Sequence, residues 1–572
     1  MEKQEEMWKA CSEGSMVRLH YAKARILDRL GGAGRMPLDW KTPPEPVREY
    51  AIQEKYEADI VIVGGGHSGV AVARTCAEYG LSVLVIETMK EQNYWAYGID
   101  FGHINSKFLA EHQVPQVDEL AFFRDWQLRG GNRSNPKLVM QFAKNSGECF
   151  DWFLDALSPQ QQESVQIRFW PAPKNYPAVC DGIKTWIGCA TFPEALWNQR
   201  GITEAVIANI ERAKAAGAEF HFSTKALYLE KRGDRVSAVI GKRRHGGYVR
   251  FSAKQAVVLA AGDFAHNEEM MQEFCQEQQD LLPPGEKVSS MLGRDGSGIC
   301  MGLWAGGRMV PGPIACMGGN IAPLNSVLGV AATLWLDGTN QRYCNEGFAG
   351  GEFAMLETAR QPTGIFLNLF DNKVEEILSR QVPGHGARWG SNPDDPFMKA
   401  TAEALEQAKR AGADGDDVPY EHGPAGRTFK LYAANTLSEL CEYLGYRGVL
   451  RENLIASVVR YNAMCRQGRD EDFGKEPALL VALDTPPYYA VVTDRTKPVS
   501  RELLVTVDGL WTNEHQQVYD HSLCEIPGLY ATGNCCGRRF GIQYSTPISG
   551  VSIGMAWTLG RELGKWLAQQ IQ

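Results

Sequence analysis

The sequence predicts an α/β fold in which a Rossmann-like domain is built from two distant parts of the chain and carries an inserted α+β unit. Three observations predict it. Residues 59–87 read DIVIVGGGHSGVAVARTCAEYGLSVLVIE, a β-branched run, a glycine turn, an amphipathic stretch, a second apolar run and an acid. Residues 311–480 change texture, mixing the strand-like GVAATLWLDG with polar helical stretches. Strand-like segments then resume (YYAVVT, LLVTVDGLWTN, GLYATGN) and end in a helical stretch from Ser552 to Leu567.

The first of these segments carries chemistry. Gly64, Gly66 and Gly69 have G-x-G-x-x-G spacing, with His67 and Ser68 between them. The first glycine allows a tight turn, the second lets backbone approach a pyrophosphate, and the third lets helix pack on strand. The helix beyond would turn its unpaired N–H groups and positive dipole end toward phosphates. Glu87 closes the second strand, where a carboxylate can bind ribose hydroxyls. The complete βαβ context makes this a dinucleotide site rather than a structural glycine turn.

The other elements follow in order. Residues 1–56 form an N-terminal extension. Met7, Leu19, Ala22, Ile26 and Leu30 lie near helical spacing, and Pro43, Pro44 and Pro46 make a stiff linker. The dinucleotide domain occupies 57–310. Within it, 219–260 holds several strands and ends in Ala260-Ala261-Gly262, and the loop Gly293 to Gly298 leads into an apolar helix. The insert spans 311–480, and 481–572 returns to the first domain.

Composition bounds the function. The 572 residues suffice for roughly two to four domain-sized units. A net charge of −9 argues against a nucleic-acid partner. Fourteen cysteines stand without a C-x-x-C pair, so metal and c-type haem have no support and a reduced, cytoplasmic protein is expected. No apolar stretch has transmembrane length, and the first residues lack a secretory signal.

Several ordered motifs together resemble one family. GGGHSG with Glu87, GHIN at 102–105, AAGDFxxNxEM at 260–270, RDGSGICMG at 294–302, LDGTNQRYCNE at 336–346, and GLYATGN with SGVSIGMA are similar to the FAD-dependent fumarate reductase and 3-ketosteroid dehydrogenase superfamily. The region from Ala531 to Gly560 also looks like flavocytochrome c-like flavoprotein reductases of anaerobic bacteria. The resemblance implies a GR-type FAD-binding domain with a capping domain. It carries FAD contacts onto Gly64, Gly66, His67, Ser68, Gly69 and Glu87, then onto Gly102, Asn105, Ala226, Ala261, Gly262 and Asp295. Gly533, Asn534, Gly550, Val551, Ser552 and Ile553 complete the set, with Asn534 replacing a frequent Glu. Ala96 stands where some members attach FAD covalently through His, so non-covalent FAD is expected.

Such a flavin transfers hydride to or from a carbon beside a carbonyl, and the protein supplies a proton donor and an electrophile. The marks of dicarboxylate binding are missing. RELLVTVDGLW at 501–511 replaces a His-containing stretch, Thr546-Pro547 replaces an Arg, and Ala349 replaces a relay Arg. Tyr544 and Gly550 resemble the pair that polarises a ketosteroid carbonyl, although a packing Tyr fits equally. His103 is a candidate proton shuttle or a packing residue. Arg538 and Arg539 are candidate anion binders or solvated charges, and Tyr343 and Glu346 belong to a proton path or a salt bridge. Arg495 and Lys497 read as surface charges. The leading expectation is an ene-reductase acting on an enone or enoate of steroid-like or aromatic type, with electrons from an external reductase or NAD(P)H-linked system. A ketosteroid-type dehydrogenase and a flavin electron-transfer subunit are the alternatives.

Overall fold

The computed structural model describes residues 40–570 apart from 169, 171–185, 194–199, 281–287, 291–292, 318–330, 348–360, 381–395, 420–427, 495–500 and 545–546. The expected N-terminal helix, Ala349, Arg495, Lys497 and Thr546 lie outside the described residues.

The first sheet starts with β1 (Ile52–Val63), which leads through α1 (His67–Glu78) into β2 (Val83–Ile86). After α2 (Pro136–Leu154) and α3 (Ile202–Ala215) come β3 (Ala218–His221), β4 (Thr224–Arg232), β5 (Arg235–Arg243) and β6 (Tyr248–Leu259). Helix α4 (Ser297–Trp304) follows. The chain then builds a second sheet from β7 (Leu334–Asp337), β8 (Ile365–Asp371), β9 (Asp416–Pro419) and β10 (Thr428–Ala434), adds α5 (Val449–Gln467), and continues with β11 (Tyr488–Asp494). It returns as β12 (Gln517–Tyr519), β13 (Glu525–Ala531) and α6 (Val551–Gln569).

The first sheet runs β12-β13-β6-β1-β2-β3, with β4 and β5 joined to the β6 edge. Its central pairs, β13 with β6, β6 with β1, β1 with β2 and β2 with β3, are all parallel. A parallel sheet must be covered on both faces, and the strands read accordingly. In β1, Ile60 and Ile62 face one core with Val72 of α1 and Leu563 of α6, while Val61 and Val63 face another with Ile299 of α4. Each such side chain contributes about 1.5–3 kcal/mol on burial.

The second sheet, β7-β8-β11-β10-β9, is antiparallel throughout. Its strands alternate between two cores of their own: Leu367, Leu369 and Ala490 face α5, while Phe370, Tyr489 and Val491 face the opposite side. This corrects one expected boundary. A return at residue 481 places YYAVVT in the first domain, but it forms β11, between β8 and β10. Strand propensity marks a strand without saying which sheet pairs it, and the return falls after residue 494.

The chain segments leaving and re-entering the first domain are paired with each other. Val288–Ser290 runs parallel to Arg501–Leu503, and Cys316–Met317 runs antiparallel to Val505–Thr506. This double-chain neck joins the two sheets.

Candidate active site

The site begins where β1 ends. Gly64 has φ +102°, and a Cβ there would lie 2.5 Å from the Ala260 carbonyl oxygen, so only glycine makes this turn beside β6. A Cβ at Gly69 would lie 2.0 Å from the Gly64 oxygen, which is how α1 approaches the turn. Gly66 caps α1 and faces open space, with nothing within 4 Å of its Cβ position. Glu87 follows β2 and is buried. Its Oε2 accepts from Gly65 N and its Oε1 from Met89 N, each at 2.8 Å.

A cavity of about 960 Å³ opens beside this turn. Its lining includes Gly64, Gly66, His67, Ser68 and Glu87 from the first βαβ unit. Ala226, Ala261, Gly262 and Asp295 line the middle reach of the chain's contribution, and Gly533, Asn534, Gly550, Ser552 and Ile553 the C-terminal one. First-turn residues of three helices, His67 of α1, Ser297 of α4 and Ser552 of α6, face it together. Gly69, Gly102, Asn105 and Val551 stand behind the wall. Gly102 N donates to Gly550 O at 2.8 Å, the Asn105 amide bonds both main-chain groups of Val117, and Val551 is buried in the core.

These groups fit a dinucleotide. The void at Gly66 and the helix N-terminus suit a pyrophosphate. Glu87 retains acceptor capacity beyond its two backbone bonds, because a carboxylate offers about four lone-pair sites. The volume lies at the upper end of ligand pockets, about 300–1,000 Å³. His67 is fixed as a neutral ring: its Nε2 donates to Tyr97 O at 2.7 Å and its Nδ1 accepts from Trp557 Nε1 at 2.9 Å.

Of the catalytic candidates, Tyr544 alone lines the cavity. It is 1% exposed and packs edge-on against Phe540, with centroids 4.9 Å apart. Met317 and Val505 pack against the apolar cluster that holds Tyr544, and with Leu504 they make an apolar stretch of the cavity lining. His103 lies behind the wall, fully buried and stacked on Phe150 at 3.7 Å, and burial pulls its pKa down to about 3. Arg539 is also fully buried and stands behind Asn534. It donates to Asn534 Oδ1 at 2.5 Å and to Val507 O at 2.9 Å. Arg538 donates through Nε to Arg133 O at 3.2 Å, outside the cavity lining.

Glu346 and Tyr343 belong to the second sheet's surroundings. Both Glu346 oxygens accept from Arg342, and Oε1 also accepts from Trp335 N at 3.1 Å. Tyr343 packs on Trp335 and Cys344. Neither lines the cavity.

Among the lining residues that the sequence did not single out for a role is a buried acid. Asp263 follows Gly262 directly, is 2% exposed, and has a pKa that burial raises to about 6. The available signal was an acid placed immediately after the buried strand that ends at Ala260-Ala261-Gly262.

Residues 59–551 match the family model described as the FAD binding domain. The chain belongs to this family. It is 24% identical over 536 residues to the vinyl phenol reductase of Lactiplantibacillus plantarum, covering 89% of this chain and 96% of that one. It is 23% identical over 567 residues to the digoxin reductase of Eggerthella lenta, covering 90% and 87%. Its fold matches the 3-ketosteroid-Δ4-(5α)-dehydrogenase of Rhodococcus jostii RHA1, solved with 4-androstene-3,17-dione. The TM-score is 0.64 and the identity 19%, over 91% of this chain and 99% of that one. This FAD-binding family member is an FAD-dependent oxidoreductase, as the motif resemblance implied. Among the described residues no helix is long and apolar enough to cross a membrane.

Proposed function

We propose that this protein reduces a carbon–carbon double bond conjugated to a carbonyl, in an enone or enoate of steroid-like or aromatic type. One observation carries the reading: a single cavity is lined both by the dinucleotide turn at Gly64 and by the apolar stretch of Met317, Leu504, Val505 and Tyr544. The reductase names of two relatives that match most of the chain support it.

When bound, FAD supplies the hydride. The chain supplies position and charge. The α1 N-terminus and the Gly66 void would hold the pyrophosphate, and Glu87 would accept from a ribose hydroxyl. Tyr544 donates its hydroxyl to the substrate carbonyl oxygen, where negative charge develops. Apolar side chains of that stretch exclude water and strengthen this hydrogen bond. The apolar side chains Met317, Leu504 and Val505 suit an apolar substrate body better than a second carboxylate, which needs a partner of its own when buried.

FAD is held without a covalent bond. Both ring nitrogens of His67, which lines the cavity, are already engaged by Tyr97 and Trp557. Acid precipitation should therefore release free FAD into the supernatant. Electrons come from an external reductase or NAD(P)H-linked system, because the sequence has one dinucleotide fingerprint.

The deciding test is anaerobic flavin absorbance. Dithionite-reduced holoenzyme is mixed with a vinyl phenol, 4-androstene-3,17-dione, cinnamate or fumarate. Rapid reoxidation by 4-androstene-3,17-dione or cinnamate is expected, and reoxidation by the vinyl phenol alone would show that no carbonyl is required. Bleaching of oxidised enzyme by a saturated ketosteroid, without reoxidation by any alkene, would assign a dehydrogenase instead.

A further inference from the structure

We propose that Asp263 is the acid of this site, and that its Oδ2 carries the proton delivered to the alkene carbon beside the one that receives hydride. The inference rests on the reductase reading of the same cavity and names the group that reading leaves open.

The geometry divides the two carboxyl oxygens. Oδ1 accepts from Ala265 N at 2.8 Å and from Arg294 N and Thr506 N at 3.4 Å each. Among the described residues no hydrogen bond engages Oδ2, while Asp263 lines the cavity at 2% exposure. One oxygen is thus anchored by backbone and the other is left for a ligand. The Thr506 contact also sets the position. Thr506 directly follows Leu504 and Val505, which belong to the apolar stretch of the lining, and its Oγ1 accepts from Phe264 N at 3.3 Å. The carboxyl therefore sits where the first sheet meets the neck, beside the stretch assigned to substrate.

The surroundings favour a carboxyl that holds its proton. No side-chain hydrogen bond reaches it among the described residues. Burial raises its pKa to about 6, against the opposing pull of the Arg294 charge. The Cys535 thiol interacts with it electrostatically, and His266, Glu268, Glu269 and Asp295 line the same cavity. The Cys535 thiol is pushed up to about 12 by burial and stays neutral. His266 Nε2 donates to Ser290 O at 2.9 Å, and Asp295 pairs with Lys225 at 3.5 Å. An acid that titrates near the working pH is the effective kind.

The step balances. The alkene π bond breaks; one carbon would take the hydride, with its two electrons, that bound reduced FAD supplies, and its neighbour takes the Asp263 proton. The resulting carboxylate regains a proton from water. Tyr544 keeps a separate task at the carbonyl oxygen.

The test uses holoenzyme and the alkene, among the four probes above, that reoxidises the wild type. Asp263→Asn is close to isosteric and keeps the Oδ1 contacts. It should retain FAD and be reduced normally, yet reoxidise about 10²–10⁴-fold more slowly. Asp263→Glu, which keeps an acid, should recover part of that loss. The wild-type rate should fall as pH rises above about 6, and Asp263→Asn should lose this dependence. Infrared spectra of oxidised holoenzyme, without turnover, should show a protonated carboxyl band at low pH that the Asn variant lacks. Equal rates in Asp263→Asn and wild type would overturn the inference and leave the reductase reading intact. Loss of FAD from Asp263→Asn with an unchanged rate per bound FAD would overturn it too, making Asp263 a cofactor ligand. Failure of every probe to reoxidise the wild type would sink the reductase reading, and this inference with it.

Discussion

Asp263 and Asp508 are buried carboxyls that no cationic side chain hydrogen-bonds among the described residues, and burial raises both to about 6. Such a raised value destabilises the fold in one pH window. Below the ordinary value of 3.8 both folded and unfolded chains hold the proton, and the stability is fully present. As pH rises toward about 6 the unfolded chain sheds the proton first, so stability falls. Asp263→Asn removes this penalty. Its Tm should exceed the wild-type value at pH 7 and converge with it near pH 4, in melting curves taken across that range. Glu346 is the opposite case, a buried carboxylate with partners. Arg342 joins it to Asp470, and Lys475 Nζ lies 3.5 Å away. Burial alone would raise Asp470, yet its hydrogen bonds to Arg342 hold it at about 2. Glu346→Gln breaks this buried set at a cost of about 3–5 kcal/mol. The expected result is a lowered Tm with an unchanged reoxidation rate per bound FAD. A rate loss without a Tm change would restore Glu346 to a proton path.

Helix α6 is the element on which the site depends most. It crosses α1 and abuts the strand Asp100–Gly102, and its glycines permit the approach. A Cβ on Gly554 would lie 1.8 Å from the Gly102 carbonyl oxygen, whereas one on Gly560 would meet Ser68 O at 2.8 Å. Gly554→Ala must therefore push α6 away from a strand whose Asp100 lines the cavity. A loss of about 1–3 kcal/mol is expected, with reduced FAD content on purification. Gly560→Ala should be milder in both measurements. The sequence made α6 and the Gly64 turn legible because their signals are local: glycine spacing, apolar runs and a cap lie within a few residues. The acid of Asp263 was legible in the chain, but its place beside Leu504 and Val505 was not, because the contact that sets it there is with Thr506, distant in sequence. His103 misled for the same reason, since its neighbours in GHIN place it near a cofactor loop while Phe150 covers its ring. In β11, the alternation in YYAVVT announced a strand, but its partners β8 and β10 decided its sheet.

At the scale of the molecule, the cavity and the second sheet draw on different parts of the chain. The cavity is lined by residues from Val63 to Ala556, all of them outside β7 through β11. The second sheet has its own two cores and the Arg342 ion-pair set, and it meets the cavity through the neck of Met317, Leu504 and Val505. Cofactor binding therefore stabilises the two units unequally. A ligand that binds only the folded state adds about 2.7 kcal/mol at a hundred times its Kd. That gain falls on the first sheet, α1 and α6, which surround the ligand. In the stripped protein the first unit loses it, while the cores around Leu369 and Phe370 lose nothing. Calorimetry of apoprotein should then resolve a lower transition for the first unit and a higher one for the second. Added FAD should move the lower transition upward toward the other, with little shift in the upper one. Brief proteolysis of apoprotein between the two transitions should leave a protected fragment containing β7 to β11. A single transition that shifts as a whole with FAD would mean that the neck couples both sheets into one cooperative unit.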